Sequence, residues 1–94
     1  MKIERIEHGS KGAFIIKENG ERLAEMTYSK AGDNLIIIDH TEVSDKLKGQ
    51  GAGKKLVTEA VQYARSNNIR ILPLCPFAKS VFDRTPEFQD VLSK

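Results

Sequence analysis

Ninety-four residues bound the chain to one domain, near the lower end of what a single apolar core supports. Apolar content of 39% and charged content of 30% are ordinary for a globular chain, and a net charge of +2 does not by itself mark a nucleic-acid binder. A single cysteine excludes an internal disulfide, Met1-Lys2-Ile3-Glu4-Arg5 holds no apolar signal core, and no apolar run reaches membrane-spanning length; the expectation is a cytoplasmic protein with no targeting segment and no membrane partner.

Lys2 to Glu7, with Ile3 and Ile6, reads as a short strand ended at Gly9. Ala13 to Glu18 is a stronger strand. Asn19-Gly20 supplies the two positive-φ residues of a type I′ turn, so Glu21 to Ser29, with Leu23, Ala24, Met26 and Tyr28, returns antiparallel. Ala31-Gly32-Asp33 turns the chain again. Leu35-Ile36-Ile37-Ile38 is apolar without alternation, the pattern of a strand buried on both faces, and is expected as the central strand. From Asp39 the period is two, so His40 and Glu42 share one face and Thr41 and Val43 the other.

Lys48-Gly49-Gln50-Gly51-Ala52-Gly53 then places three alternating glycines before an amphipathic helix over Lys54 to Ser66, whose Leu56, Val57, Ala60, Val61 and Ala64 make one stripe. No Ser, Thr, Asp or Asn precedes the first helical residues, and Lys54 and Lys55 have the wrong sign for the positive end of the macrodipole. An anion on the free N–H groups accounts for both features. The plain alternative is a glycine loop that needs positive φ, flanked by solvated lysines. A Walker A loop would require Gly where Lys48 stands and a hydroxyl where Lys55 stands. The dinucleotide fingerprint fails at Lys54, its third glycine position.

Asn67-Asn68 can end the helix in the left-handed conformation. Ile69 to Cys75 reads as the last strand, parallel to the Leu35–Ile38 strand by a right-handed crossover. Pro73 has no N–H for a ladder, so the two strands are expected to part there, opening a gap beside Glu42 and Val43 level with the glycine loop. Further on, Ser80 is expected to cap a short helical turn carrying Val81 and Phe82. Thr85-Pro86 starts a second turn, packed by Phe88, Val91 and Leu92. No repeat, linker or low-complexity tract divides residues 1–94, and no metal-ligand spacing is present.

Read as Lys48-x-x-Gly51-x-Gly53, the loop resembles the acyl-CoA pyrophosphate loop Q/R-x-x-G-x-G/A of the GNAT superfamily of N-acetyltransferases, with Lys in place of Arg or Gln. His40-Thr41-Glu42-Val43 before it and Pro73-Leu74-Cys75-Pro76-Phe77 after the helix resemble a subfamily of very small members, and the likeness runs from His40 to about Leu92. The resemblance implies an α/β (α+β), truncated GNAT-like domain. Its four mostly antiparallel strands precede a helix, a fifth strand parallel to the fourth and splayed from it, and short C-terminal helices. It implies acetyl-CoA (coenzyme A) as cofactor, the pyrophosphate lying against Lys48, Gly49, Gln50, Gly51, Ala52, Gly53 and Lys54. The pantetheine arm would lie between the splayed strands, with Phe77 and Phe82 lining its channel, the thioester carbonyl on the Val43 N–H, and Lys46 and Lys79 near other phosphates. The bland readings are core for the two phenylalanines and surface charge for the two lysines.

Cys75 sits at the mouth of that gap. A thiolate there can accept an acetyl group if a neighbour lowers its pKa, and His40 is the neighbour expected; the bland reading is a small buried side chain. His40 or Glu42 can serve as general base toward an attacking amine, against a bland reading of a hydrogen-bonded His and a solvated Glu. Full GNAT domains have two helices after the first strand and further strands after the last helix. Many place a general-acid Tyr after the position of Cys75, where this chain has none; Tyr63 is too early. Two readings follow. One is an N-acetyltransferase of unknown amine acceptor, small molecule or protein, acting directly or through an acetyl-Cys75 intermediate. The other is a non-catalytic acyl-CoA-binding module, a sensor or subunit. Nucleic-acid binding by the lysines around the loop lacks interleaved aromatics and is not expected.

Overall fold

Hairpin chemistry sets the outline of the computed structural model, which describes residues 2–93. Strands β1 (Ile3–His8), β2 (Lys11–Glu18), β3 (Glu21–Lys30) and β4 (Leu35–Val43) form an antiparallel meander; helix α1 (Ala52–Asn67) crosses to β5 (Arg70–Pro73), and α2 (Pro76–Arg84) follows. Short 3-10 turns cover Asp45–Leu47 and Pro86–Val91. Spatial strand order repeats chain order, and β5 lies parallel to β4, as expected of the crossover. At the β2–β3 turn Asn19 and Gly20 take φ of 53° and 79°, the left-handed pair that a type I′ turn requires.

The stripe Leu56, Val57, Ala60, Val61 and Ala64 packs on one face of the sheet, made of Phe14, Ile16, Ala24, Met26, Tyr28, Ile36, Ile38 and Ile71. Ala78, Val81 and Phe82 of α2, with Phe88 and Val91, join the same cluster. The burial along β4 corrects the reading of Leu35–Ile38. Ile36 and Ile38 are buried, Leu35 and Ile37 only half-buried, and the middle position of the sheet belongs to β3. Four apolar residues in a row describe a strand with one face under a helix as well as one under two.

Two irregularities shape the far end of β4. The β3–β4 register pairs Tyr28 with Ile38 and Thr27 with His40, leaving Asp39 as the extra residue of a β-bulge. The bulge switches parity: Thr41 and Val43, opposite buried Met26 and Ala24, continue the helix-covered face, and His40 and Glu42 turn to the other. The second irregularity is the parting of β4 and β5. Leu35–Ile38 pair with Arg70–Pro73, the N–H groups of Leu74 and Cys75 both donate to the Ile38 carbonyl at 3.1 Å, and there the ladder ends. Pro73 offers no N–H and Pro76 opens α2, so the strands separate at Pro73 as expected.

Helix starts differ from expectation. α1 begins at Ala52, not Lys54, and ends as expected on a left-handed Asn, Asn68 with φ of 55°. α2 begins at Pro76 with Cys75 as N-cap. Ser80, expected as the cap, sits inside the helix with its hydroxyl donating to Phe77 O at 2.8 Å. Proline at the first helical position was the better start signal. Beyond the last turn, Leu92 bridges Ile71 in parallel and the Ser93 N–H donates to Ile71 O at 2.8 Å, covering part of the outer edge of β5.

Candidate functional site

After β4 the chain coils once and then exposes a helix start. Ser44 Oγ accepts from the Lys46 N–H at 3.2 Å, and the N–H groups of Lys48 and Gln50 go to Asp45 O and Leu47 O. Gly49 at φ 81° and Gly51 at φ 69° make two left-handed steps, a conformation costing about 1–2 kcal/mol for residues bearing a Cβ. Gly51 is thereby the N-cap of α1, with no side-chain bond to any first-turn N–H and no acidic residue in that turn. The first helical bond runs from the Lys55 N–H to Gly51 O at 3.0 Å. The N–H groups of Gly51, Ala52, Gly53 and Lys54 therefore have no hydrogen-bond acceptor among the described residues. With the helix dipole and Lys54 they form a cradle for an anion. Lys48 and Gln50 are exceptions within the expected loop, their N–H groups being held by Asp45 O and Leu47 O.

Gly53 has a second reason to be glycine. A Cβ built there would lie 2.4 Å from Phe77 Cζ, so the missing side chain lets the start of α2 press on the start of α1. Between the two helices runs a groove of about 370 Å³ lined by Gly51, Gly53, Lys54, Phe77, Val81, Arg84 and Thr85. Arg84 was not singled out from the sequence, although Phe77, Val81 and Arg84 follow i, i+4, i+7 spacing; the misplaced helix start hid the stripe. The other lysines are engaged or outlying. Lys79 pairs with Asp83 at 3.1 Å, Lys46 pairs with Glu21 at 2.8 Å, and Lys48 is exposed. Phe82 is buried core, edge-on to Phe88 at 6.0 Å.

Where β4 and β5 part, the register decides which amides are free. The Ser44 N–H donates to Leu23 O at 2.8 Å, so Leu23/Ser44, Glu25/Glu42 and Thr27/His40 are the pairs that exchange hydrogen bonds. The N–H groups of Thr41 and Val43 consequently point away from β3, toward the gap. Val43 itself is 40% exposed. Across the gap Cys75 is buried, and its S–H donates to Thr41 Oγ1 at 3.3 Å. Burial pushes the thiol's pKa up, but the Thr41 hydroxyl and the backbone N–H groups of Ala78, Phe77 and Thr41 favour the thiolate and together hold the group below its ordinary value.

His40 is not the neighbour that does this. It lies on the opposite face with Glu42, their Nε2 and Oε1 3.3 Å apart and both side chains largely exposed. The structure thus joins Cys75 to Thr41 and His40 to Glu42, and the Asp39 bulge keeps the pairs on different faces. Among the described residues no three His, Cys, Asp or Glu side chains gather as a metal site, and no helix is long and apolar enough to cross a membrane.

Comparison with known proteins agrees on the fold. A family model described as GCN5-related N-acetyl-transferase matches residues 13–91. A Staphylococcus aureus protein solved by NMR and described as GCN5-like is 43% identical, with a TM-score of 0.71 over 96% of this chain and 87% of that one. Protein NATD1 of Bos taurus is 26% identical over 84 residues, which is 87% of this chain and 74% of its own length. A more distant likeness, of fold alone at 12% identity and a TM-score of 0.56, is to AAC(6')-Iy solved with the bisubstrate analogue CoA-S-monomethyl-acetylneamine; it covers 82% of this chain and 61% of that one.

Proposed function

Because the chain belongs to the family of GCN5-related N-acetyltransferases, we propose that it binds acetyl-CoA at the seam of β4, β5 and α1 and passes the acetyl group to an amine, a small molecule or a protein. The observation that carries this reading is the row of four N–H groups, Gly51 to Lys54, without acceptors at an uncapped helix start. In this reading the diphosphate accepts from those groups, and Lys54 and Lys48 add charge-assisted attraction. The bare Gly51 lets phosphate oxygens approach the backbone. Acetyl-CoA supplies an acyl group activated as a thioester. The Val43 N–H, directed into the gap, stabilises the oxyanion as the carbonyl carbon is attacked.

For the attack itself we favour Cys75. Its thiolate, held by Thr41 and the α2 amides, bonds to the carbonyl carbon; the carbon–sulfur bond to CoA then breaks, and CoA leaves as a thiolate of similar basicity. No strong acid is required, which suits a gap with no Tyr. A neutral amine next attacks acetyl-Cys75, the Cys75 thiolate departs, and the amine's proton passes to water. The buried free thiol suits a reducing compartment, in keeping with a cytoplasmic role. The separation of His40 and Glu42 from Cys75 favours a second reading, a module that binds acyl-CoA without turnover.

Titration calorimetry with acetyl-CoA, followed by intact mass measurement after incubation, tests the whole scheme. Wild type is expected to bind and to gain one acetyl group. Gly51→Glu should lose binding through steric clash and like-charge repulsion, with its circular dichroism unchanged. Cys75→Ser should bind without gaining mass. Unchanged affinity in Gly51→Glu removes the loop assignment. Binding without an adduct at any pH from mildly acidic to mildly alkaline leaves the module reading.

A further inference from the structure

We infer that the outer edge of β1 is the contact through which two copies of this chain associate, strand against strand and antiparallel about Ile6, into one continuous sheet. β1 stands first in the sheet and pairs with β2 alone. The other edge is partly closed, since Leu92 bridges Ile71 and the Ser93 N–H bonds to Ile71 O. Which groups β1 leaves open follows from a hydrogen bond on the far side of β3. The Ser44 N–H donates to Leu23 O, so Leu23, Glu25 and Thr27 turn their backbone groups to β4, and Ala24, Met26 and Tyr28 turn theirs to β2. Their partners on β2 are Ile16, Phe14 and Gly12, which leaves Ile15 and Ala13 to bond Glu4 and Ile6 of β1. The N–H and C=O groups of Ile3, Arg5 and Glu7 therefore point outward, and no backbone group among the described residues meets them.

Such an edge is commonly guarded by proline, lysine or a bulge. β1 runs Ile3-Glu4-Arg5-Ile6-Glu7-His8 in unbroken register with β2 and has none of these. Its charges select a second copy as the partner. A closed two-fold contact sets the strands antiparallel, and outward groups meet outward groups only when the axis falls at a residue rather than between two. An axis at Arg5 opposes two guanidinium groups, and one at Glu4 or Glu7 opposes two carboxylates. At Ile6 it sets Arg5 against Glu7, Glu4 against His8 and Ile6 against Ile6, so among these registers it alone opposes no like charges. Arg5 and Glu7 bond Tyr28 on the helix-covered face, so Ile6, 41% exposed, lies on the other, and the two isoleucines meet at the axis in the closer, non-hydrogen-bonded kind of pair. The gap beside Cys75 is at the opposite edge of each sheet and stays open. A strand this short buries less than the roughly 800 Å² per partner of a stable interface, so the association is reversible and follows concentration.

Sedimentation velocity from about 10 μM to about 1 mM, the range of a weak contact, tests this. Wild type is expected to pass from one chain to two. Ile6→Lys and Ile6→Glu should each weaken dimerisation by about tenfold or more, because each sets like charges at the axis, and an equimolar mixture of the two should regain it. Recovery in the mixture requires that residue 6 of one copy face residue 6 of the other. Ile6 is exposed, and circular dichroism checks that both variants fold. In wild type alone, deuterium exchange at the N–H groups of Arg5 and Glu7 should slow as concentration rises, while Glu4 and Ile6 are slow throughout. A wild type that stays monomeric to about 1 mM overturns the inference and leaves the edge to an extended segment of another protein. Exchange at Arg5 and Glu7 that ignores concentration overturns it as well. Dimerisation unchanged in both variants, or a mixture no better than its parts, overturns the pairing about Ile6.

Discussion

Gly53 is a residue at which two effects of known sign compete. Alanine inside a helix is favoured over glycine by about 1 kcal/mol, but a Cβ here would sit 2.4 Å from the Phe77 ring, and overpacking costs about 1–3 kcal/mol. Gly53→Ala should therefore destabilise wild type and stabilise a Phe77→Ala background. Denaturant melts of the four members of this cycle check the reversal, and a change of the same sign in both backgrounds rules out the contact. Cys75 carries a second prediction. With its folded pKa below the ordinary value, the thiol contributes stability that is lost as pH falls through the folded value and fully present above the unfolded one. Alkylation should accordingly reach half its plateau rate at lower pH than for an unperturbed thiol, and Thr41→Val should move that midpoint upward. A midpoint unmoved in Thr41→Val would mean that the hydroxyl does not hold the thiolate.

At the scale of elements, β1 is tied to the body through Tyr28. The Tyr28 hydroxyl donates to Glu7 Oε2 at 2.8 Å and accepts from Arg5 at 3.0 Å, while Arg5 also lies 4.3 Å over the ring of Tyr63 on α1. Burial, more than the Glu7 bond, pushes the Tyr28 pKa up to about 12. A raised folded pKa means stability complete below the unfolded value of about 10 and declining as pH climbs toward the folded one. Melting temperature should drop across that window in wild type, and Tyr28→Phe should lack this component. Parallel alkaline profiles for the two proteins would contradict it. The sequence made Asn19-Gly20, the α1 stripe, the parting at Pro73 and the parity of His40 and Glu42 legible, because each follows from local chemistry or a simple period. It hid the Asp39 bulge, which is defined only by its partner strand, and with it the separation of His40 from Cys75. It hid Arg84 because Ser80 drew attention from the stronger helix start at Pro76. The apolar run of Leu35–Ile38 could not say how many of its faces a helix covers.

For the molecule as a whole, a sheet whose spatial order repeats chain order has a consequence in time. The first four strands are successive hairpins and close short loops, whereas pairing β5 with β4 closes a longer loop that contains the 52–67 helix. The N–H groups of Leu74 and Cys75, both on Ile38 O at the end of the ladder, should therefore exchange with deuterium sooner than those of β2 and β3. Acetyl-CoA should slow them selectively, and uniform protection along the sheet would refute the order. The seam that joins the glycine turn, Val43 and Cys75 is then expected to form last and to open first. If acetyl-CoA bridges it, its lifetime should rise with the concentration of acetyl-CoA, and a chain without that ligand should keep its sheet while the seam comes and goes.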